Sequence, residues 1–176
     1  MRTKTRHTRK IAAFASVLAA ACFTSGLVAA SAGAVPDAQM HGSKAIAPAS
    51  APREVKEMIH AGNQIRHKPY RWGGGHSDWN SHGYDCSGSV SYVLHGAGLL
   101  DAPLDSSGFM KWGKRGDNKW VTIYAGHGHV YMVVAGLRFD TSYITDGDKS
   151  GPGWSAEMRS AHGFHKRHPA GVSGWN

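Results

Sequence analysis

The sequence is poor in cysteine, and the little it has is split between two very different stretches. Cys22 and Cys86 are the only two. Cys22 sits inside "IAAFASVLAAACFTSGLVAA", an uncharged apolar run that follows Arg2, Lys4, Arg6, Arg9 and Lys10 and leads to Ala32 and Ala34 in an A-x-A arrangement. That order is the pattern of an export signal over residues 1–34, cleaved near Ala34. The run approaches the length that spans a bilayer, yet the small residues and the Pro/Ala/Ser-rich stretch behind it favour cleavage over a retained anchor. Ala19 to Ala21 also fit a lipid-acceptor signal poorly, so stable membrane association after cleavage is not expected. Cleavage leaves Cys86 alone. An internal disulfide is then excluded, and the thiol is either buried and inert or put to use.

Charge is thin as well. Residues 1–34 hold five of the twenty basic residues and none of the twelve acidic ones, so the formal charge falls from +8 to +3 on cleavage. The remainder argues against a nucleic-acid partner and suits an environment of anionic envelope polymers. Gly73 to Gly75 are not followed by the Lys-Ser/Thr pair of a phosphate loop. His162, His165 and His168 recur every third residue, but without an acidic or cysteine ligand at a recognised spacing they predict no metal site, and no cofactor is expected. The 142 residues left after cleavage are enough for one domain with a sizeable core. Nothing in the sequence fixes the oligomeric state.

Residues 35–51, "VPDAQMHGSKAIAPASA", carry no periodicity and read as a linker, with the domain over 52–176. Pro52 suits a first helical turn, Val55, Met58, Ile59 and Gly62 follow at helical spacing, and Pro69 prevents continuation. "KPYRWGGGHSDWNSHGYD" is loop by composition. Its Tyr70, Trp72, Trp79 and Tyr84 suit either a groove lining or a small folded-back core, and composition leaves both open.

After Cys86, the residues Val90, Val93, Leu94 and Ala97 fall at i, i+3, i+4 and i+7, so Cys86 opens a helix with Asp85 as its N-cap. Partial positive charge at a helix start favours thiolate over thiol. The N–H groups of residues 86–88 could also hold an oxyanion, which gives Ser87 and Gly88 a backbone role.

A thiolate nucleophile needs a base, and eleven histidines remain after cleavage. His41, His60, His67 and His95 read as linker, surface or packing residues. His129 is different, because it begins the strand-like run "HVYMVV" directly after Gly126 and Gly128, while His127 sits between those two glycines. "LRFDTS" follows Ala135-Gly136, so residues 129–134 and 137–142 predict a hairpin. Closing it with that two-residue loop sets Asp140 across from Tyr131, and Asp140 and His129 become diagonal neighbours on one face. A carboxylate there would fix the imidazole tautomer and complete a Cys-His-Asp set. The other reading of Asp140 is a hairpin-edge charge.

"YRWGGG", "YDCSGSVSYVL" and "GHVYMVV", in that order over residues 70–134, resemble the NlpC family of papain-like cysteine peptidases, which cleave bacterial cell-wall peptides. The resemblance implies an α+β fold, with the cysteine at the N-terminus of a helix packed on an antiparallel sheet that carries the histidine. It implies Cys86 as nucleophile, His129 as base, Tyr70 and Trp72 in the aromatic wall, and Asp85 and Ser87 as contacts to the substrate. Three departures accompany it. Asp140 stands where the family commonly has His, Asn or Gln, residues 75–83 form a His- and Trp-bearing insertion, and residues after 143 match no known block. The function expected on these grounds is a secreted or wall-associated endopeptidase acting on peptidoglycan stem peptides, at the γ-D-glutamyl to diamino acid bond. An N-acetylmuramoyl-L-alanine amidase with the same dyad, or a non-catalytic envelope module holding glycan or peptide, are the alternatives.

Overall fold

The structure is a computed structural model that describes residues 37–145 and 148–170. The expected signal, residues 1–34, lies outside them. In chain order the elements are β1 (Gln39–His41), β2 (Lys44–Ile46), α1 (Arg53–Ile65), α2 (Cys86–Gly96), α3 (Ser106–Phe109), β3 (Lys114–Arg115), β4 (Val121–Gly126), β5 (His129–Val134), β6 (Leu137–Asp140), β7 (Gly153–Ser155) and β8 (His165–His168). Every pairing between these strands is antiparallel, and the main sheet runs β3-β8-β4-β5-β6-β7. Among the described residues no helix is long and apolar enough to cross a membrane.

Alternation along the central strands decides which face is core. Val121, Ile123, Ala125, Val130, Met132, Val134, Leu137 and Phe139 are all buried on the side where α1 and α2 pack. Val55, Met58, Ile59 and Ile65 of α1 supply one part of that core, and Val90, Val93 and Leu94 of α2 another. The opposite face carries Tyr124, Tyr131, Arg138 and Asp140. It is covered in turn, since Arg159 lies 5.3 Å over the Tyr131 ring and Phe164 packs edge-on to it at 5.2 Å.

The β5–β6 hairpin has the expected register. Met132 pairs with Phe139, Val133 with Arg138 and Val134 with Leu137. Ala135 (φ 45°) and Gly136 (φ 82°) are both left-handed, as a two-residue turn matched to strand twist requires. The second strand is shorter than expected. It ends at Asp140, and Ser142 bridges Gly151 instead of lying opposite His129.

The linker expectation for residues 35–51 is corrected. Residues 39–46 form a hairpin, with Gln39 opposite Ile46 and His41 opposite Lys44. Ala38, Ala45 and Ala51 are buried. The anchors are polar and distant in sequence: Asn63 donates to the Ala45 carbonyl (2.8 Å) and accepts from its N–H (3.0 Å), and the Ala38 N–H donates to the Ala135 carbonyl (2.7 Å).

Candidate active site

Three pieces of local structure converge on Cys86. The first is the start of α2, where the Asp85 carboxylate accepts from the Gly88 N–H at 2.7 Å and caps the helix. That bond corrects one expectation. The Gly88 N–H, one of the three expected to be open to an oxyanion, is taken by the cap.

The second is the glycine loop. Asp85 Oδ2 accepts from the Gly73 N–H at 2.9 Å, and a Cβ on Gly88 would collide with the Gly74 carbonyl oxygen. Glycine is needed there because two backbones touch. Beside it, Tyr70 bridges Tyr84, with Arg71 N–H donating to the Tyr84 carbonyl and Tyr84 N–H to the Pro69 carbonyl, both at 3.1 Å. This places Tyr70 in the wall of the cavity that Cys86 also lines. Burial first, and then the negative charge of Cys86 and Asp85, push the Tyr70 hydroxyl above its ordinary pKa, so it stays a donor.

The third is the β5–β6 hairpin. His129 Nε2 donates to Asp140 Oδ1 at 2.9 Å, which leaves Nδ1 outside that bond. Burial pulls the His129 pKa down, but hydrogen bonds with Asp140 and Cys86 and their charges outweigh it and push the value up to about 9. Asp140 is buried and accepts further from the Ser142 N–H (3.0 Å), Arg138 (3.4 Å) and Arg159 (3.1 Å). Burial opposes ionisation, yet His129, the Ser142 N–H and Arg159 hold its carboxyl below the usual range. The group is an anion with its lone pairs committed, able to orient imidazolium.

Two cavities flank the thiol–imidazole pair and share Tyr70 and Gly128. One is walled by Trp72, Gly73, His76, Asp85, Cys86, Ser87, Asp105 and Ser106. The other is walled by His129, Thr141, Ser142, Asp148, Lys149 and Arg159. Trp72 is 87% exposed at the rim of the first. The aromatics of the long loop therefore divide. Tyr70 and Trp72 face the cleft, whereas Trp79 stacks on His95 (3.9 Å) and Tyr84 is buried in the core. Asp85 and Ser87 also have work inside the protein: the Ser87 hydroxyl donates to Asp85 Oδ1 at 3.2 Å.

Sequence reasoning missed two residues. His76, within the insertion, places Nε2 3.0 Å from Asp85 Oδ1 and 3.1 Å from Ser87 Oγ. Arg159 reaches Asp140 from nineteen residues away, with its guanidinium also 5.5 Å over the Phe164 ring. No spacing rule links either to its partner. For Arg159 the available signal was chemical: a buried Asp on a hairpin demands a cation.

The elements and their order define an α+β fold of papain-like layout, with a thiol at a helix start facing an imidazole on an antiparallel sheet. The fold is that of the NlpC family. RipB, a peptidoglycan hydrolase of Mycobacterium tuberculosis, is similar at a TM-score of 0.50 and 25% identity, over 66% of this chain and 68% of RipB. A variant of the Resuscitation Promoting Factor Interacting protein RipA gives 0.50 at 21% identity, over 76% of this chain and 71% of its own. RipD of Mycobacterium tuberculosis, a non-catalytic NlpC/p60 domain protein adapted to peptidoglycan binding, gives 0.49 at 20% identity, over 67% of this chain and 98% of RipD. By sequence, the chain matches no protein-family model and no curated protein.

Proposed function

We propose that the protein is an exported cysteine endopeptidase that hydrolyses peptidoglycan stem peptides at the γ-D-glutamyl to diamino acid bond. The observation that carries the reading is the 2.9 Å hydrogen bond between His129 and Asp140, beside a cleft whose two halves are lined by His129 and by Cys86 and share Tyr70 and Gly128. The likeness to RipB supports the substrate class.

The Cys86 thiolate attacks the scissile carbonyl carbon, and the N–H groups of Cys86 and Ser87 receive the oxyanion. Imidazolium of His129 then gives its proton to the departing amine, leaving a thioester on Cys86. Water, deprotonated by neutral His129, attacks the thioester, and expulsion of the thiolate restores the starting pair. Because His129 must reach the leaving amine, the cavity beside it takes the leaving group. The cavity beside Cys86, Asp85 and Ser87 takes the acyl portion.

Cys86→Ala removes the nucleophile without disturbing the cap, so it abolishes hydrolysis while circular dichroism stays native. Full residual activity would sink the mechanism. Product mass spectrometry on a defined muropeptide identifies the bond: a released diamino acid peptide supports the endopeptidase, and a released intact stem supports the amidase. Intact mass of the secreted protein beginning close to Val35 would support export with cleavage near Ala34.

A further inference from the structure

The hydrolase reading does not by itself explain the charges around the leaving-group pocket. One wall residue, Asp148, is spent on its own loop. Its Oδ2 accepts from the Thr145 N–H (2.9 Å) and hydroxyl (3.2 Å), and its Oδ1 from the Ser150 N–H (3.2 Å) and hydroxyl (2.9 Å). Asp140 is likewise committed to His129, Ser142, Arg138 and Arg159. The cations on the same wall are differently placed. Arg159 is fixed between Asp140 and the rings of Tyr131 and Phe164. Lys149 is exposed, with Nζ 5.5 Å from the centre of the Tyr70 ring, and Tyr70 walls both halves of the cleft. An ammonium resting on an aromatic face keeps N–H donors to offer. Imidazolium at His129 adds a third cation to the pocket.

We infer that this pocket is a carboxylate subsite, in which Lys149 selects a leaving residue carrying a free carboxylate over the same residue carrying an amide. The inference rests on the hydrolase reading for the side on which the leaving group lies. Lys149 does no chemistry here. It acts on which peptide stays long enough to be cut, and an exposed charge pair of this kind is worth about fivefold in kcat/KM.

The test uses two synthetic L-Ala-γ-D-Glu-diamino acid tripeptides that differ only in a free or amidated carboxylate on the last residue. The wild-type chain should prefer the free acid about fivefold at low salt, with the preference shrinking as salt screens the charge. Lys149→Gln should abolish the preference through a higher KM for the acid peptide alone, and Lys149→Arg should keep it. Equal cleavage of both peptides by the wild type, or a preference unchanged in Lys149→Gln, overturns the subsite. If the wild type cuts neither peptide, the hydrolase reading fails instead. The subsite is then judged by calorimetry on the Cys86→Ala chain, where tighter binding of the acid supports it and equal binding ends it.

Discussion

Two Asp–His pairs lie beside the same cysteine at nearly the same spacing, 2.9 Å for His129–Asp140 and 3.0 Å for His76–Asp85. Their surroundings differ. Asp140 has a fully buried side chain answered by two guanidinium groups, and Cys86 as well as Asp140 raises the pKa of its histidine. Asp85 is the cap of α2 and also holds Gly73, while His76 divides one nitrogen between Asp85 and Ser87. An Asp–His contact is therefore no signature of catalysis in itself. What the carboxylate already serves, and what the ring meets beyond it, decide whether the pair moves protons or braces a helix start.

Deleting each ring in turn gives the largest contrast. His129→Ala should lower kcat about a thousandfold, because both the ion pair and the leaving-group acid are lost. His76→Ala should lower it about tenfold or less, by loosening the wall, and His127→Ala, at an exposed turn position, should leave it unchanged. The reverse order of His76 and His129 would exchange the two roles.

Charge at Asp140 comes next in size. Asp140→Asn keeps an acceptor for the ring but removes the anion, so activity should fall moderately and the alkaline limb of the pH–rate profile, expected near 9 in the parent, should move to lower pH. Asp140→Ala removes both contributions and falls further. If both variants behave like the parent, the carboxylate does not orient the ring. The same raised histidine pKa has a thermodynamic face. Its contribution to folding is complete below about 6.5 and lost as pH rises through about 9, which thermal unfolding of the parent and of Asp140→Asn across that window would register.

Arg159 should show a smaller effect of opposite sign. Its charge competes with imidazolium for Asp140, so Arg159→Gln should shift the alkaline limb upward with a modest loss of rate, and Arg159→Lys should restore the parental limb. An unmoved limb would mean that Arg159 only packs. Smallest of all, Asp85→Ala removes the helix cap and should cost about 1 kcal/mol of stability, seen in denaturant unfolding, with Asp85→Asn costing less.

The parts of this site that could be read from sequence are those held by local rules. A two-residue Ala-Gly turn fixes the register of β5 on β6, and that register alone puts Asp140 diagonal to His129. Apolar spacing after Cys86 fixes the helix start. What escaped reading depends on contacts made far along the chain. The β1–β2 hairpin buries alanines, whose side chains give no alternating pattern, and is pinned by Asn63 and Ala135. β7 (GWS) and β8 (HKRH) are too short or too polar to show a period, and they become strands because they border an existing sheet. Arg159 and His76 act through partners that no periodicity announces.

The touch of Gly88 against the Gly74 carbonyl joins the glycine loop to α2 through main chain alone. On the proposed mechanism the acyl side of the cleft is therefore shaped when the chain folds, before any peptide arrives. A bound peptide surrenders its own freedom but does not have to order this wall, so more of its contact energy is left to align the scissile carbonyl with sulfur. A methyl group placed on Gly88 would lever the loop away from the helix and convert that ready-made wall into one that each substrate must assemble for itself.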